Sequence, residues 1–164
     1  MKTITVANKD YQLEFTFEAA EHRGLVQKMF NVLSGAYIVK HAKISNLNKN
    51  ADNENIVEPM IDGASEMVAE IPHICITAFY AGLLENNPLK EDEAKALMKS
   101  YMKENKLSYS ALYDELKECM ENDGFFDLSG LTDMMKRMNE KTTEQTEELP
   151  KQPQDHQKKS TSTK

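Results

Sequence analysis

The chain has no tryptophan, and its 164 residues include only six glycines, five prolines and two cysteines. So few glycines and prolines leave little material for the many tight turns of an all-β protein, which favours a helical fold. Cys75 and Cys119 lack the paired spacing of a zinc or redox site, so we interpret both as buried apolar residues. No stretch approaches the roughly 20 apolar residues of a membrane-spanning helix, and the first residues lack an export signal. These absences predict a protein of the cell interior with no membrane contact.

The charge of the chain is strongly acidic, with a formal net charge of -7. From Asn139 onward acids and lysines balance, so the preceding residues carry the whole excess. Nucleic-acid binding depends on cations that neutralise phosphates, and an acidic body argues against DNA or RNA as the main partner. The charge favours solubility and basic protein partners instead.

The first residues alternate between apolar and polar side chains, which is the period of half-buried strands. Ile4 and Val6 form one run, and a second run begins at Tyr11, with Asn and Asp between them. We predict a β-hairpin of strands 3–6 and 11–16, joined by a turn over residues 7–10.

After Phe17 the apolar residues recur at the three- and four-residue spacing of helices. The predicted helices cover residues 17–34, 57–70, 71–84, 91–105, 109–122 and 128–138. Thr16 and Ser108 are candidate caps, and Pro72 is expected in the first turn of its helix. Residues 37–44 fit either a strand or a helix, and residues 46–55 predict a loop of unassigned role. The fold class is therefore α+β, mainly α, with an N-terminal hairpin followed by a bundle of about five helices.

The chain divides at Met138. Residues 1–138 predict a hairpin plus a helical body. Residues 139–164 contain one large apolar residue, Leu149, and are rich in Thr, Glu, Gln, Lys and Pro. Such a composition cannot offset the entropy of ordering, so we predict a disordered tail.

Signs of catalysis are missing from the sequence. No Gly-x-Ser-x-Gly or phosphate-binding loop occurs, and spacing alone assigns none of the four histidines to a nucleophile. Glu70 and His73 have the Glu-x-x-His spacing of di-iron bundles, but such sites need two copies of it and Pro72 interrupts this one. Glu18 and His22 could meet on a helix face, which more simply gives a solvated pair. We predict no catalytic residue, no metal site and no cofactor.

Methionine occurs ten times in the chain. Six of them, from Met98 to Met138, lie in the C-terminal half. Flexible, polarizable methionines are overused on adaptable binding surfaces. The alternative is an ordinary core, because a methionine stripe at helical spacing usually faces inward.

Several stretches of sequence carry a family resemblance. They are residues 4–20, a hairpin that runs into a helix; residues 79–89, which contain Phe-Tyr-Ala-Gly-Leu; and residues 92–94 and 120–126, the last of which contains Asp-Gly-Phe-Phe. Together they resemble the tail assembly chaperones of long-tailed, siphovirus-type bacteriophages and prophages of Gram-positive bacteria. The resemblance covers about residues 1–138.

The resemblance implies a non-catalytic chaperone that binds the phage tape measure protein and recruits tail tube subunits. It implies work in the host cell cytoplasm, absence from the mature virion and, in many members, a longer form made by programmed frameshifting. Lys158-Lys159 is a candidate slippery site, and repeated binding along a long partner suggests a homo-oligomer. The candidate partner-binding residues are Phe79, Tyr80, Leu83, Phe125, Phe126, Met134, Met135 and Met138.

Two other classes of function stay open. The first is a small helical regulator or adaptor of a phage or bacterium that contacts nucleic acid, against which the acidic charge argues. The second is a small enzyme whose site leaves no sequence motif, which a pocket with a strongly perturbed histidine or carboxylate would indicate.

Overall fold

The computed structural model describes the backbone of residues 1–40 and 57–147 and the side chains of residues 1–40 and 60–140. The predicted loop at 46–55 and the Lys158-Lys159 pair lie outside the described residues. The fold is mainly helical and begins with a two-stranded antiparallel hairpin, which confirms the predicted fold class.

The hairpin pairs β1 (Lys2–Val6) with β2 (Lys9–Leu13), with Ile4 opposite Tyr11. Its turn is shorter than the four residues predicted, because Ala7 and Asn8 alone form it. Both have left-handed backbones, with φ of 49° and 60°. Two consecutive left-handed residues match the twist of the strands and allow a two-residue loop.

The helices among the described residues have these bounds: α1 (Phe17–Glu21), α2 (Arg23–Leu33), α3 (Val57–Leu83), α4 (Glu91–Asn105), α5 (Tyr109–Asn122), α6 (Phe125–Leu128) and α7 (Leu131–Glu147). Residues 36–40 are also helical. The bounds of α4 and α5 match the prediction, and the Ser108 hydroxyl caps α5 by accepting a hydrogen bond from the Ala111 amide at 3.1 Å.

The C-terminal half of α3 lies at the centre of the core. Hairpin and helices surround it, and Phe15, Phe79 and Phe125 are all fully buried. Phe15 from the hairpin strand end and Phe125 from α6 meet edge to face, with ring centroids 6.4 Å apart. The core therefore joins the N-terminal hairpin to the C-terminal helices.

Pro72 was predicted in the first turn of a helix, and this prediction is wrong. It lies inside the 27-residue α3. A proline at this position removes the hydrogen bond that its amide would make to the carbonyl of Val68. The side chain of Val68 is 65% exposed, so water is close to that turn. Burial of the residues after Pro72 stabilises the continuous helix, and the two predicted helices are one.

The predicted helix at 17–34 is also wrong in one respect, because it breaks at His22. The His22 backbone is extended (φ -72°, ψ 93°), and its ring nitrogen Nδ1 accepts a hydrogen bond from the Leu25 amide at 3.2 Å. His22 therefore caps α2, whereas the Thr16 side chain makes no capping bond to α1.

The C-terminal prediction requires two corrections. Residues 125–128 form the separate short helix α6, and a left-handed turn at Gly130 (φ 74°) precedes α7. Helix α7 then continues to Glu147, beyond the predicted tail boundary at Met138. The remainder of the predicted tail, residues 148–164, lies outside the described residues.

Candidate functional site

Helix α7 is anchored to the body by its first residue. Leu131 is 4% exposed, and no later residue whose side chain is described, up to residue 140, is buried. The spacing of Leu131, Met134, Met135 and Met138 places four apolar side chains along one side of the helix. After Leu131 this side leaves the core, and Met134 is 49% exposed.

A groove, here named the α2–α7 groove, lies between the start of α7 and helices α1 and α2. It has a volume of about 510 Å³. Its lining residues are Ala20, Arg23, Val26, Gln27, Phe30, Ser129, Gly130, Leu131 and Met134. Val26 and Phe30 lie one helical turn apart and supply the apolar wall opposite Met134. An apolar groove between helices is the kind of surface that receives one face of an amphipathic helix.

A second groove, here named the α5–α7 groove, lies on the other side of α7. It has a volume of about 370 Å³. Its lining residues are Leu33, Lys117, Glu121, Phe126, Leu131, Thr132, Met135, Lys136 and Asn139. Leu131 lines both grooves, so the anchoring residue of α7 separates them.

Charged side chains also line the two grooves. Lys117 and Glu121 form an exposed pair one helical turn apart, with Nζ and Oε1 separated by 3.1 Å. The hydrogen bond to Glu121 raises the pKa of Lys117. Arg23 lines the α2–α7 groove and Lys136 the α5–α7 groove. Arg23 and Lys136 are exposed, whereas Leu131, which lines both grooves, is buried.

Three of the eight predicted partner-binding residues are corrected by the structure. Phe79, Leu83 and Phe125 have no exposed surface, because α3 and α6 bury them in the core. They cannot contact a partner while the core is intact. For Phe79 and Leu83 the sequence does not show which side of α3 faces the core, because the second half of that helix is apolar nearly all round.

The structure places the other five at or near the surface. Tyr80 is half-buried, and its ring meets the His22 ring edge to face at 5.6 Å. Met134 lines the α2–α7 groove, whereas Phe126 and Met135 line the α5–α7 groove. Met138 is exposed farther along α7.

The apolar wall that Val26 and Phe30 of α2 form opposite α7 was not predicted from the sequence. Val26 and Phe30 lie within the predicted helix at 17–34, to which no functional role was assigned. Phe17 is 67% exposed. It lies one helical turn before Ala20, which lines the α2–α7 groove. Phe30 lies on the same amphipathic helix as Arg23 and Gln27. The sequence does not show that Phe30 is half-buried, because its exposure depends on where α7 lies.

Two side chains that could act as a base or a nucleophile, His22 and Cys75, have structural partners. His22 caps α2, and Cys75 donates its thiol hydrogen to the Tyr109 carbonyl, with Sγ and O 3.4 Å apart. Burial raises the pKa of the Cys75 thiol to about 12, which leaves it protonated and a poor nucleophile at neutral pH. Among the described residues no group of three or more His, Cys, Asp or Glu could hold a metal ion.

Comparison with protein-family models, with curated proteins and with solved structures finds no match to this chain. Within the described part of the chain, no helix combines the length and the apolar character that a bilayer crossing requires.

Proposed function

We propose that this protein is a non-catalytic chaperone of bacteriophage tail assembly that binds the tape measure protein and recruits tail tube subunits to it. Its place of work would be the host cell cytoplasm, before the virion is complete. The observation that carries the proposal is the α2–α7 groove, an apolar trough between a projecting methionine-lined helix and the Val26–Phe30 wall.

The groove supports a helical, apolar partner for a geometric reason. Met134 of α7 and Phe30 of α2 both line the groove. A chaperone must bind many similar segments without demanding one shape, and the thioether chain of methionine adapts to different neighbours. The apolar stripes of a long tape measure helix present such a set of related segments.

The acidic charge of the chain supports the same role. A net charge of -7 keeps the chaperone soluble while it presents apolar surface, and it attracts a basic partner over distances of about 10 Å at about 0.1 M salt. The recruitment of tail tube subunits rests on the family resemblance of residues 4–20, 79–89 and 120–126.

Co-expression tests the proposal directly. We expect the full chain to keep a fragment of the tape measure protein soluble, where the fragment comes from a very long, helix-rich reading frame next to this gene. Equal precipitation of the fragment with and without the chain would refute the chaperone role.

A matched pair of variants assigns the effect to the groove. Met134→Gln places a polar group on the exposed apolar side of α7, whereas Arg137→Gln changes an exposed residue that lines neither groove. Both replacements are good helix formers, so α7 should persist in each. We expect Met134→Gln to lower the soluble fraction of the fragment and Arg137→Gln to leave it unchanged. An equal effect of the two variants would contradict the assignment of the groove.

A further inference from the structure

Methionine side chains of this protein lie in contrasting environments. Met29, Met98 and Met120 are at most 1% exposed, because they pack in the core. Met134 in α7 is 49% exposed and lines the α2–α7 groove. The three core methionines are shielded from reagents in solution, whereas Met134 is accessible to them at the place where an apolar partner would bind.

The accessible thioether of Met134 can be oxidised to a sulfoxide by a hydroperoxide. A lone pair on Sδ attacks one peroxide oxygen, so that an S–O bond forms while the O–O bond breaks. With hydrogen peroxide, the proton of the transferred hydroxyl group passes to the departing hydroxide, which leaves as water. The sulfur loses two electrons and the peroxide gains them. Because the peroxide must touch the sulfur, core methionines react only when the fold opens.

The sulfoxide changes the chemistry of the α2–α7 groove. Val26, Phe30 and Leu131 contribute apolar side chains to the lining, and the thioether of Met134 belongs to the same lining. Oxidation converts this flexible apolar side chain into a polar one that carries a hydrogen-bond acceptor. An apolar segment that covers the oxidised side chain would bury this acceptor without a partner, which is unfavourable.

Hydrogen-bond donors in the same groove add to the effect. Arg23 and Gln27 of α2 both line the groove, and both are exposed. Their guanidinium and amide groups supply N–H donors for a sulfoxide oxygen. In the empty groove these side chains or water can satisfy the oxygen, and an apolar occupant would have to displace those bonds. Met60 and Met138 are also exposed, but neither lines this groove.

From exposure and placement together, we propose that Met134 is a site of reversible oxidation, at which a hydroperoxide forms the sulfoxide and lowers the affinity of the α2–α7 groove for apolar segments. A methionine sulfoxide reductase reverses such a step: two thiols become a disulfide, and the oxygen leaves as water. The regulation rests on the proposed function of the groove, whereas the oxidation itself rests only on the exposure of Met134.

Peptide mass spectrometry of the full chain during treatment with hydrogen peroxide tests the chemistry. We expect Met134 to be oxidised at least about tenfold faster than the core residues Met29, Met98 and Met120. Circular dichroism at each time point checks that the chain stays folded, so that slow oxidation of the core reports on shielding. If Met134 is oxidised as slowly as the three core methionines, the proposal is wrong.

An apolar fluorescent dye, anilinonaphthalene sulfonate, tests the effect on the groove. Met134→Leu keeps an apolar side chain but cannot form a sulfoxide. Met138→Leu is the matched control, because Met138 is exposed on the same helix but does not line the groove. After peroxide treatment we expect the wild type and Met138→Leu to bind the dye about tenfold more weakly, and Met134→Leu to bind it as before. Treatment with the reductase and a dithiol should restore binding to the wild type.

Refolding of the tape measure fragment with the purified chain separates this proposal from the proposed function. If the untreated wild type does not keep the fragment soluble, the chaperone role fails, and the dye measurements still decide the effect of oxidation. If it does, the treated wild type should lose this effect and the treated Met134→Leu should keep it. Equal dye affinities of the treated wild type and the treated Met134→Leu, or no dye binding to the untreated chain, would overturn the proposal.

Discussion

Gly82 in α3 lies directly against the ring of Phe15, so close that a Cβ on Gly82 would meet the Phe15 Cζ atom at 2.8 Å. The adjacent Glu14 amide donates a hydrogen bond to the Gly82 carbonyl at 2.8 Å. The end of the hairpin is thus held on the central helix by one backbone bond and one ring. The missing side chain at position 82 makes this approach possible.

Gly82→Ala should therefore destabilise the protein although alanine favours helices. The gain in helix propensity is about 1 kcal/mol, and overpacking of a filled core costs about 1–3 kcal/mol. Because Phe15 is fully buried and cannot swing into solvent, we expect a net loss of about 1–2 kcal/mol in the free energy of unfolding, measured by urea denaturation.

A double-mutant cycle checks the cause. Phe15→Leu removes the ring atoms that meet the new methyl group, so Gly82→Ala should cost clearly less in the Phe15→Leu background than in the wild type. If the single Gly82→Ala variant is more stable than the wild type, the gain in helix propensity outweighs the overpacking against the Phe15 ring.

His22 gives a second prediction, because one side chain both caps α2 and contacts Tyr80. His22→Ala removes both interactions and should lower the free energy of unfolding by about 1–2 kcal/mol. His22→Asn keeps an oxygen that can accept from the Leu25 amide, so its loss should be smaller.

Ser108→Ala is the matched control for His22. It removes a single capping bond, from the Ala111 amide, and its side chain has no ring contact to lose. We expect a loss of about 1 kcal/mol for Ser108→Ala, less than that for His22→Ala. If the two alanine variants lose the same amount, the ring contact between His22 and Tyr80 contributes nothing measurable.

How much of the fold the sequence predicts depends on where the deciding interactions lie. Helices α4 and α5 begin and end at the predicted residues, since caps such as Ser108 are local. Pro72 and His22 were interpreted wrongly because their roles depend on distant contacts. Continuity of α3 through Pro72 follows from burial against the other helices, and the break at His22 accompanies contact with Tyr80.

The candidate site divides in the same way. The methionines of α7 were selected because adaptable binding surfaces overuse methionine, and the structure places Met134 and Met135 in the linings of the two grooves. Phe79 and Phe125 were chosen because they are large and apolar, but size does not reveal which side of a helix faces the core.

Asp123 gives a third prediction, because its carboxylate joins three parts of the fold at the end of α5. Its Oδ2 accepts a hydrogen bond from the Phe15 amide at 3.0 Å, and its Oδ1 pairs with the ammonium group of Met1. The side chain is 6% exposed. Asp123→Ala leaves a part-buried amide without its acceptor and should cost about 2–3 kcal/mol in the free energy of unfolding.

Asp114→Ala is the control, since Asp114 is an exposed acid in the middle of α5. It should change the free energy of unfolding by about 0.5 kcal/mol or less. Hydrogen exchange provides a second measurement, in which Asp123→Ala should raise the exchange rate of the Phe15 amide. Unchanged exchange at Phe15 would contradict the bond to Asp123.

Alkaline pH should destabilise the protein through Cys75. Burial raises the pKa of this thiol from 9.0 to about 12, so the folded state holds its proton more tightly than the unfolded state does. The stabilising effect is fully present below pH 9 and is lost as the pH rises toward 12, because the unfolded chain releases the proton first. This one thiol lowers the free energy of unfolding by at most about 1.4 kcal/mol per pH unit.

Tyr101 and Tyr113 add to the slope in the same direction, since burial raises the pKa of each phenol. Cys75→Ala therefore should not abolish the loss of stability at alkaline pH, but the free energy of unfolding should fall less steeply between about pH 9 and about pH 11.

Denaturant unfolding at fixed pH values, with Cys119→Ala as the second thiol variant, measures the difference. Burial also raises the pKa of Cys119, which is 8% exposed whereas Cys75 has no exposed surface, so its replacement should flatten the slope less. Identical slopes for the wild type and Cys75→Ala would mean that the thiol ionises equally easily in both states, and the burial argument for its inertness would fail.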